Sequence, residues 1–326
     1  MEEMIATLPG QYRWAAEFAL GEMPSAGSAL VCGMGGSGIS GDVAAAVAEG
    51  PVFVHKDFGL PAWAPSLPEP IVVAVSYSGN TEETLTAVEA ARAAGLPIAA
   101  VSSGGRLSQL AADEGWPLIG VPGGLQPRAA FGYLAGAAVR LVEAAGLAED
   151  TGLDETAAIT ATLLGDDLQG PGRRLADDLA EELAGRIAVI MGSGSTAVAA
   201  YRWKTQINEN AKSPAFISVL PEADHNEVEG WTTLGTALRR TVGVVMLRDD
   251  LEIPGVDARF QPTSRLLAEG ATIVGEVWAQ GSSRLARLAS LAVIGDLVSL
   301  RLARAAGIDP VAVDAIQQLK QTLGES

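Results

Sequence analysis

The sequence predicts an α/β protein of two similar domains, each a doubly wound, mainly parallel sheet flanked by helices. Short apolar runs of strand length alternate with longer Ala-rich segments at helical spacing. The pattern then restarts, because RIAVIMGSGSTAVAAYRW at 186–203 echoes SALVCGMGGSGISGDVAAA at 28–46. Each stretch is an apolar strand, a Gly/Ser loop and a small-residue helix. We infer an internal duplication, with domains at 1–150 and 151–326.

In the first half, the apolar runs at 29–34, 71–76 and 97–102 are typical of buried parallel strands. A helix is predicted directly after the second run. Glu82 and Glu83 would fall in its first turn, where the helix dipole favours anions.

In the second half, strands are predicted at 241–249 and 271–279, in addition to the one that opens the repeat. The joint between the halves is expected in the acidic, helix-like segment 145–175. Beyond residue 280 the pattern predicts two helices, broken at Gly307–Pro310.

Composition excludes several classes of function. The net charge of −17 argues against a nucleic-acid interface, which needs a basic face, and against anionic membrane surfaces. No run approaches the roughly 20 apolar residues of a membrane span, and the acidic N-terminus lacks a signal-peptide pattern. We therefore expect a soluble cytoplasmic protein. With one cysteine and two histidines in the chain, we expect no metal site. No cofactor is expected either.

The Gly-rich stretch GMGGSGISGD at 33–42 lies where a strand turns into a helix. Glycine allows close backbone approach to a ligand, and exposed amides at a helix start favour anions. Gly33, Gly35 and Gly38 also match a dinucleotide-binding spacing, for which Asp57 would have to bind the ribose. A dinucleotide site is the alternative to an anion site here.

The stretch SYSGNTEET at 76–84 places Ser76, Ser78 and Thr81 after a buried strand. Ligands of open α/β sheets bind at the carboxyl ends of strands. Hydroxyls together with helix-start amides can hold a phosphate without a lysine. Ordinary helix capping by Ser and Thr is the alternative. The neighbouring Gly/Ser loop favours phosphate.

Four further residues are candidates for catalysis. Arg128 precedes a predicted helix, where a cation opposes the dipole, so it serves either a ligand or a solvated surface. Glu209 lies near a helix end, where a carboxylate is electrostatically unfavourable, which suits a general base. Pairing with Lys212 or Arg202 is its alternative. His225 stands among acidic residues in PEADHNEVEGW, and Lys320 lies on the final amphipathic helix.

In order, the motifs GMGGSG, SYSGNTEET, PRAAFGYL, INENAKSPAF, PEADHNEVEGW and IQQLK resemble the bifunctional phosphoglucose/phosphomannose isomerases, of the sugar-isomerase (SIS) domain superfamily. The resemblance covers nearly the whole chain. It implies two SIS domains, a homodimer, and metal-free interconversion of glucose and mannose 6-phosphates with fructose 6-phosphate through a cis-enediolate. The alternatives are an isomerase of another phosphosugar and a non-catalytic sugar-phosphate-binding SIS protein.

The resemblance also implies residue roles. It places six residues at the substrate, three beside the sugar and three at its phosphate: Gly35, Gly36 and Ser37, then Ser76, Ser78 and Thr81. It implies that Arg128 stabilises the enediolate and that Glu209 moves the proton between C2 and C1. It also implies that His225, from the partner subunit, and Lys320 assist ring opening.

The chain departs from the family pattern at two places. Asp224 stands where an Asn usually precedes the histidine. Val311 and Val313 stand where a threonine associated with tolerance of the mannose epimer is expected. The preferred epimer therefore does not follow from the resemblance.

Overall fold

The chain folds around two parallel sheets. A computed structural model describes residues 1–166, 169–233 and 239–323. Within these ranges, the first sheet contains β1 Ser28–Cys32, β2 Val52–His55, β3 Pro70–Val75, β4 Ile98–Ser102 and β5 Leu118–Gly120. The second contains β6 Ile187–Ser193, β7 Ala215–Leu220, β8 Val242–Arg248 and β9 Thr272–Trp278. Six of these strands occupy the predicted apolar runs: β1, β3, β4, β6, β8 and β9. Strands β1 and β4 are buried along their whole length.

Both sheets are doubly wound. The strand orders are β2-β1-β3-β4-β5 and β7-β6-β8-β9, and every pair of neighbouring strands is parallel. In each sheet the chain therefore moves to one side of its first strand and then to the other. Where the direction reverses, a crevice opens at the carboxyl ends of two neighbouring strands. In the first sheet these strands are β1 and β3. The predicted fold class is confirmed.

Helices cover both sheets and connect them. Those of the first half are α1 Glu2–Ala6, α2 Leu8–Glu17, α3 Gly35–Val47, α4 Glu82–Ala93, α5 Gly105–Glu114 and α6 Phe131–Ala144. Between the halves lie α7 Leu153–Leu164 and α8 Pro171–Leu183. The second half adds α9 Gly194–Asn210, α10 Glu227–Thr233, α11 Pro254–Leu267, α12 Arg284–Ala305 and α13 Asp314–Leu323. The predicted break between the last two helices is confirmed.

The long helix α12 is the centre of the molecule. It is buried along most of its length and packs against α7, α8 and α9. One hydrophobic core runs through it into both halves and joins β1, β3 and α6 to α9 and α12. The two sheets are thus stabilised against a shared set of helices.

A buried ion pair lies where the halves meet. Arg202 Nη2 of α9 donates to Asp296 Oδ2 of α12 at 2.7 Å, and each side chain is 2% exposed. Gln206 donates to the other carboxylate oxygen at 3.0 Å, and the Arg202 guanidinium lies 3.7 Å from the centroid of the Phe131 ring. Burial raises the pKa of Asp296, while Arg202 opposes that rise. Removing either partner would leave a buried charge without a counterion.

We expect Gly295→Ala to destabilise the fold. A Cβ at Gly295 would overlap the indole ring of Trp203, which is fully buried and donates Nε1–H to Leu291 O at 2.7 Å. Overpacking of this kind costs about 1–3 kcal/mol of unfolding free energy. Chemical denaturation monitored by tryptophan fluorescence measures it.

Gly255→Ala is the matched control, because Gly255 also lies in a helix but has no neighbouring atom within 4 Å of an added Cβ. It should leave stability unchanged or raise it by up to about 1 kcal/mol through helix propensity. Equal stability of the Gly295 variant and wild type would contradict the tight packing of α9 against α12.

Candidate active site

A cleft of about 1110 Å³ lies at the crevice of the first sheet. Its walls are the loops after β1 and β3, the turn at Pro127–Ala129, the end of α9, and α13. Eight of the residues predicted to act on a substrate line it: Gly35, Gly36, Ser37, Ser78, Thr81, Arg128, Glu209 and Lys320. The fold therefore brings together residues that are up to almost 300 positions apart in sequence.

The loop after β1 needs its glycines for close approach. A Cβ at Gly33 would lie 2.8 Å from the carbonyl oxygen of Val75, so the loop fits against β3 only without a side chain. Helix α3 then begins with no side chain capping it. Ser37 Oγ accepts a hydrogen bond from Tyr77 N at 3.3 Å and joins this loop to the next. Asp57, which a dinucleotide site would need, is not among the residues that line the cleft.

The loop after β3 presents hydroxyls to the cleft, and Ser76 supports them from behind. Thr81 is the N-cap residue of α4, yet its side chain makes no capping hydrogen bond. Instead, Thr81 Oγ1 lies 2.8 Å from Ser76 Oγ, which is fully buried and also accepts from Gly79 N at 3.1 Å. The capping alternative therefore fails for Thr81. The first amides of α4 are left for a ligand.

Ser78 is exposed and lines the cleft, whereas Ser76 does not line it. A contact of Ser76 with phosphate stays a prediction, and its observed role is to orient Thr81. Gly79 has a φ of +71°, and a Cβ there would overlap the carbonyl of Gly104 in the neighbouring loop. This contact holds the hydroxyl loop at the edge of the sheet.

The mouth of the cleft carries mixed charge. Glu82, Glu83 and Glu89 line it together with Arg106, whose Nη2 donates to Glu89 at 2.6 Å. The sequence patterns did not single out Arg106. An anion bound here must gain its free energy from hydroxyls, amides and cations that outweigh the neighbouring carboxylates.

Arg128 is buried, with 5% of its surface exposed, so the solvated-surface alternative is wrong. Its Nε donates to Asn210 Oδ1 at 2.9 Å. Its Nη2 donates to the carbonyls of Pro310 and Val311 at 2.6 and 3.0 Å. Burial lowers the pKa of Arg128, and the carboxylates of Glu209 and Asp309 oppose that shift. These partners come from two segments far from Arg128 in the chain, residues 209–210 and 309–311.

Glu209 lies in the last turn of α9, as predicted. Its Oε2 is 3.5 Å from Arg128 Nη1, and its side chain is 30% exposed. Lys212 donates to the backbone carbonyl of Glu209 at 2.5 Å and does not pair with its carboxylate. Arg202 pairs with Asp296. Both alternative pairings of the Glu209 carboxylate are therefore wrong, and the carboxylate lies beside the buried guanidinium of Arg128.

Lys320 and His225 occupy different places. Lys320 is exposed on α13 and lines the cleft, where Val313 and Gln317 accompany it. His225 ends the short turn Glu222–His225 after β7, is exposed, and is not among the residues lining the cleft.

Asp224 is directed away from the cleft. Its Oδ1 accepts from Thr263 Oγ1 at 2.6 Å, and its Oδ2 lies 3.8 Å from Arg259 Nε. Both partners belong to α11. The departure from the family pattern at this position thus attaches the histidine turn to a neighbouring helix.

Two further observations concern metal sites and membrane spans, neither of which is expected from the composition. Across the residues that the structure describes, no three or more His, Cys, Asp or Glu side chains are grouped to hold a metal ion. In the same part of the chain, no helix combines the length and apolarity needed to cross a membrane.

Comparison with known proteins identifies the family. The family described as the bacterial phospho-glucose isomerase C-terminal SIS domain matches residues 173–323. The bifunctional phosphoglucose/phosphomannose isomerase of Caldicellulosiruptor bescii is 38% identical over 307 residues, which cover 91% of this chain and 89% of that protein. The enzyme of that name from Aquifex aeolicus is 35% identical over 331 residues and 99% of each chain.

Among solved structures, a hypothetical protein from Thermus thermophilus has a TM-score of 0.71 with 16% identity, over 98% of this chain and 88% of that one. At that identity the likeness concerns the fold alone. The two relatives carry the assignment, since each is matched over nearly its whole length. The second half matches an SIS domain, and the chain therefore belongs to the family of bifunctional phosphoglucose/phosphomannose isomerases.

Proposed function

We propose that this protein interconverts glucose 6-phosphate, and also mannose 6-phosphate, with fructose 6-phosphate. The observation that carries the proposal is the placement of the partly exposed Glu209 carboxylate 3.5 Å from the buried Arg128 guanidinium. The cleft wall beside them presents hydroxyls and two helix starts that no side chain caps. The printed names of the relatives support the choice of substrates.

The phosphate group would bind at the loop after β3. Ser78 and Thr81 offer hydroxyls, and the start of α4 offers amides that no side chain caps. Gly35 and Gly36 leave room for the sugar beside this anchor. With its phosphate held there, the open-chain sugar would present C1 and C2 to the Glu209 carboxylate in the same cleft.

The proton would be transferred by Glu209. As a general base it removes the C2 proton of the open-chain aldose, the electron pair moves into a C1–C2 double bond, and the C1 oxygen gains negative charge. The intermediate is a cis-enediolate. The C2 hydroxyl would then pass its proton to the C1 oxygen, so that the negative charge moves to the C2 oxygen. As the carbonyl forms at C2, the electron pair of the C1–C2 double bond takes the proton back from Glu209 at C1, which gives the ketose. Arg128 stabilises the enediolate charge electrostatically, so the proposed reaction needs no metal.

Ring opening would require a proton donor or acceptor other than Glu209 and Arg128. Lys320 lines the cleft of its own chain. We propose that His225 is contributed by the second subunit of a homodimer, which is consistent with its exposure and its position outside its own chain's cleft.

A coupled assay with glucose, mannose and fructose 6-phosphates tests the function. In the presence of EDTA, we expect wild type to be active and Glu209→Gln to lose about 10²–10⁴-fold in kcat, the usual contribution of a general base. KM should stay within a few-fold, because the phosphate anchor is unchanged.

Glu181→Gln, also in the last turn of a helix but outside the cleft, is the matched control and should keep wild-type kcat. A wild type that converts none of the three sugars would refute the function. A Glu209→Gln variant that still exchanges solvent deuterium into C2 at the wild-type rate would mean that another residue is the base.

The phosphate anchor is tested by the double variant Ser78→Ala with Thr81→Ala. Hydrogen bonds to a charged group contribute about 1.5–3 kcal/mol each, so we expect KM to rise at least about tenfold while kcat changes little. Thr162→Ala, an exposed threonine on α7, should leave both constants unchanged. An unaltered KM in the double variant would place the phosphate elsewhere.

Subunit mixing tests the contribution of His225 in trans. Inactive Glu209→Gln and His225→Ala proteins are mixed, dissociated reversibly and reassociated. If the histidine crosses the interface, each mixed dimer regains one intact site, and about a quarter of wild-type activity should return at statistical pairing. Copies with different tags verify the exchange. Exchange without recovered activity would show that one chain builds the whole site.

A further inference from the structure

The guanidinium of Arg128 uses its nitrogens unequally. Nε and Nη2 donate to the Asn210 amide and to two backbone carbonyls, at 2.6–3.0 Å. The remaining nitrogen, Nη1, lies 3.5 Å from Glu209 Oε2. Two of the three nitrogens thus hold the group in place, and the third is directed at the proposed base.

The amide of Asn210 has only one orientation that satisfies its neighbours. Ser299 Oγ donates to the carbonyl of Asp296 at 2.7 Å, which uses its single hydrogen. Ser299 Oγ must therefore accept the Asn210 Nδ2–H at 2.9 Å, and Asn210 Oδ1 is left to accept from Arg128. Asn210, Asp296 and Ser299 are buried, so water does not offer substitute partners.

The backbone of Arg128 is held separately. Gln11 donates to Ala129 O at 2.8 Å and accepts from Gly132 N at 2.9 Å. Arg202 Nη2 donates to Arg128 O at 3.2 Å. The turn would keep its place without Asn210, so the amide acts on the direction of the guanidinium.

We propose that Asn210 is a positioning residue that directs Arg128 Nη1 toward Glu209 and the substrate, and that a neutral amide is required there. This inference rests on the proposed function. A carboxylate at position 210 would also accept from Nε. It would, however, pair with the buried guanidinium and weaken its attraction for the enediolate, because opposite charges interact strongly in low-dielectric surroundings.

A double-mutant cycle with Arg128→Ala separates this role from a structural one. We expect Asn210→Ala to lower kcat about tenfold or more and to change KM no more than about threefold, because a misdirected charged hydrogen bond affects the transition state most. In the Arg128→Ala background the same change should lower kcat no further. Effects that multiply in the double variant would overturn the inference.

Ser299→Ala is a milder variant in case Asn210→Ala folds poorly. It removes the acceptor that orients the amide and should lower kcat in the wild-type background only. Asn208→Ala is the matched control, since Asn208 lies in the same helical turn but donates to Ser213 O at 2.9 Å. It should keep wild-type kcat.

Asn210→Asp tests the need for a neutral group. We expect it to lower kcat at least about tenfold although the acceptor is retained, whereas Asn208→Asp adds the same charge to the same turn and should change kcat little. Wild-type kcat in Asn210→Asp would overturn the requirement for neutrality.

The outcomes distinguish this inference from the proposed function. A wild type without isomerase activity refutes both. Normal kcat in Arg128→Ala refutes the role of Arg128 and, with it, that of Asn210. If Arg128→Ala lowers kcat, and Asn210→Ala lowers kcat by the same factor in that background as in wild type, only the positioning role is refuted. Thermal melting of each variant verifies that kcat is measured on folded protein.

Discussion

The buried contact between α9 and α12 is the constraint on which the site depends. Arg202 and Asp296 form an ion pair there with almost no exposed surface, and Trp203 packs against Gly295 beside it. This contact fixes the end of α9, and therefore Glu209, relative to the turn that carries Arg128. A buried pair of charges contributes little net stability over an apolar pair, but its geometry specifies how helices lie against one another.

Neutral acceptors allow this strongly acidic chain to keep a buried cation, Arg128, at the cleft. Arg128 loses hydration on burial, and carbonyl and amide oxygens replace the lost water. Because those acceptors carry no net charge, they do not neutralise the positive charge of the guanidinium. Glu209 is the nearest carboxylate, and it lies on the side where a substrate would bind.

The two halves differ at their crevices. In the first sheet, hydroxyls and uncapped helix starts face an open cleft. In the second, Ser193 at the end of β6 donates to the carboxylate of Glu252, which burial holds at a raised pKa beside Arg248. The carboxylate of Glu252 thus stands at the start of α9, which corresponds in the repeated pattern to the Gly-rich loop after β1. The second half contributes α9, α12 and α13 to the site of the first.

The sequence by itself determined six of the strands, the two Gly/Ser loops and the choice of candidate residues, because strand periodicity, glycine at tight loops and helix-end charges are local properties. It identified Arg128 and Glu209 separately, from their positions at helix ends. Only the tertiary structure decided that Ser76 supports Thr81 from behind, that His225 stands outside its own cleft, and that Asn210 and the carbonyls of Pro310 and Val311 hold Arg128. The physical reason is that the contacts of Arg128 join segments far apart in the chain. Their geometry follows from how α9, α12 and α13 pack, which no local pattern records.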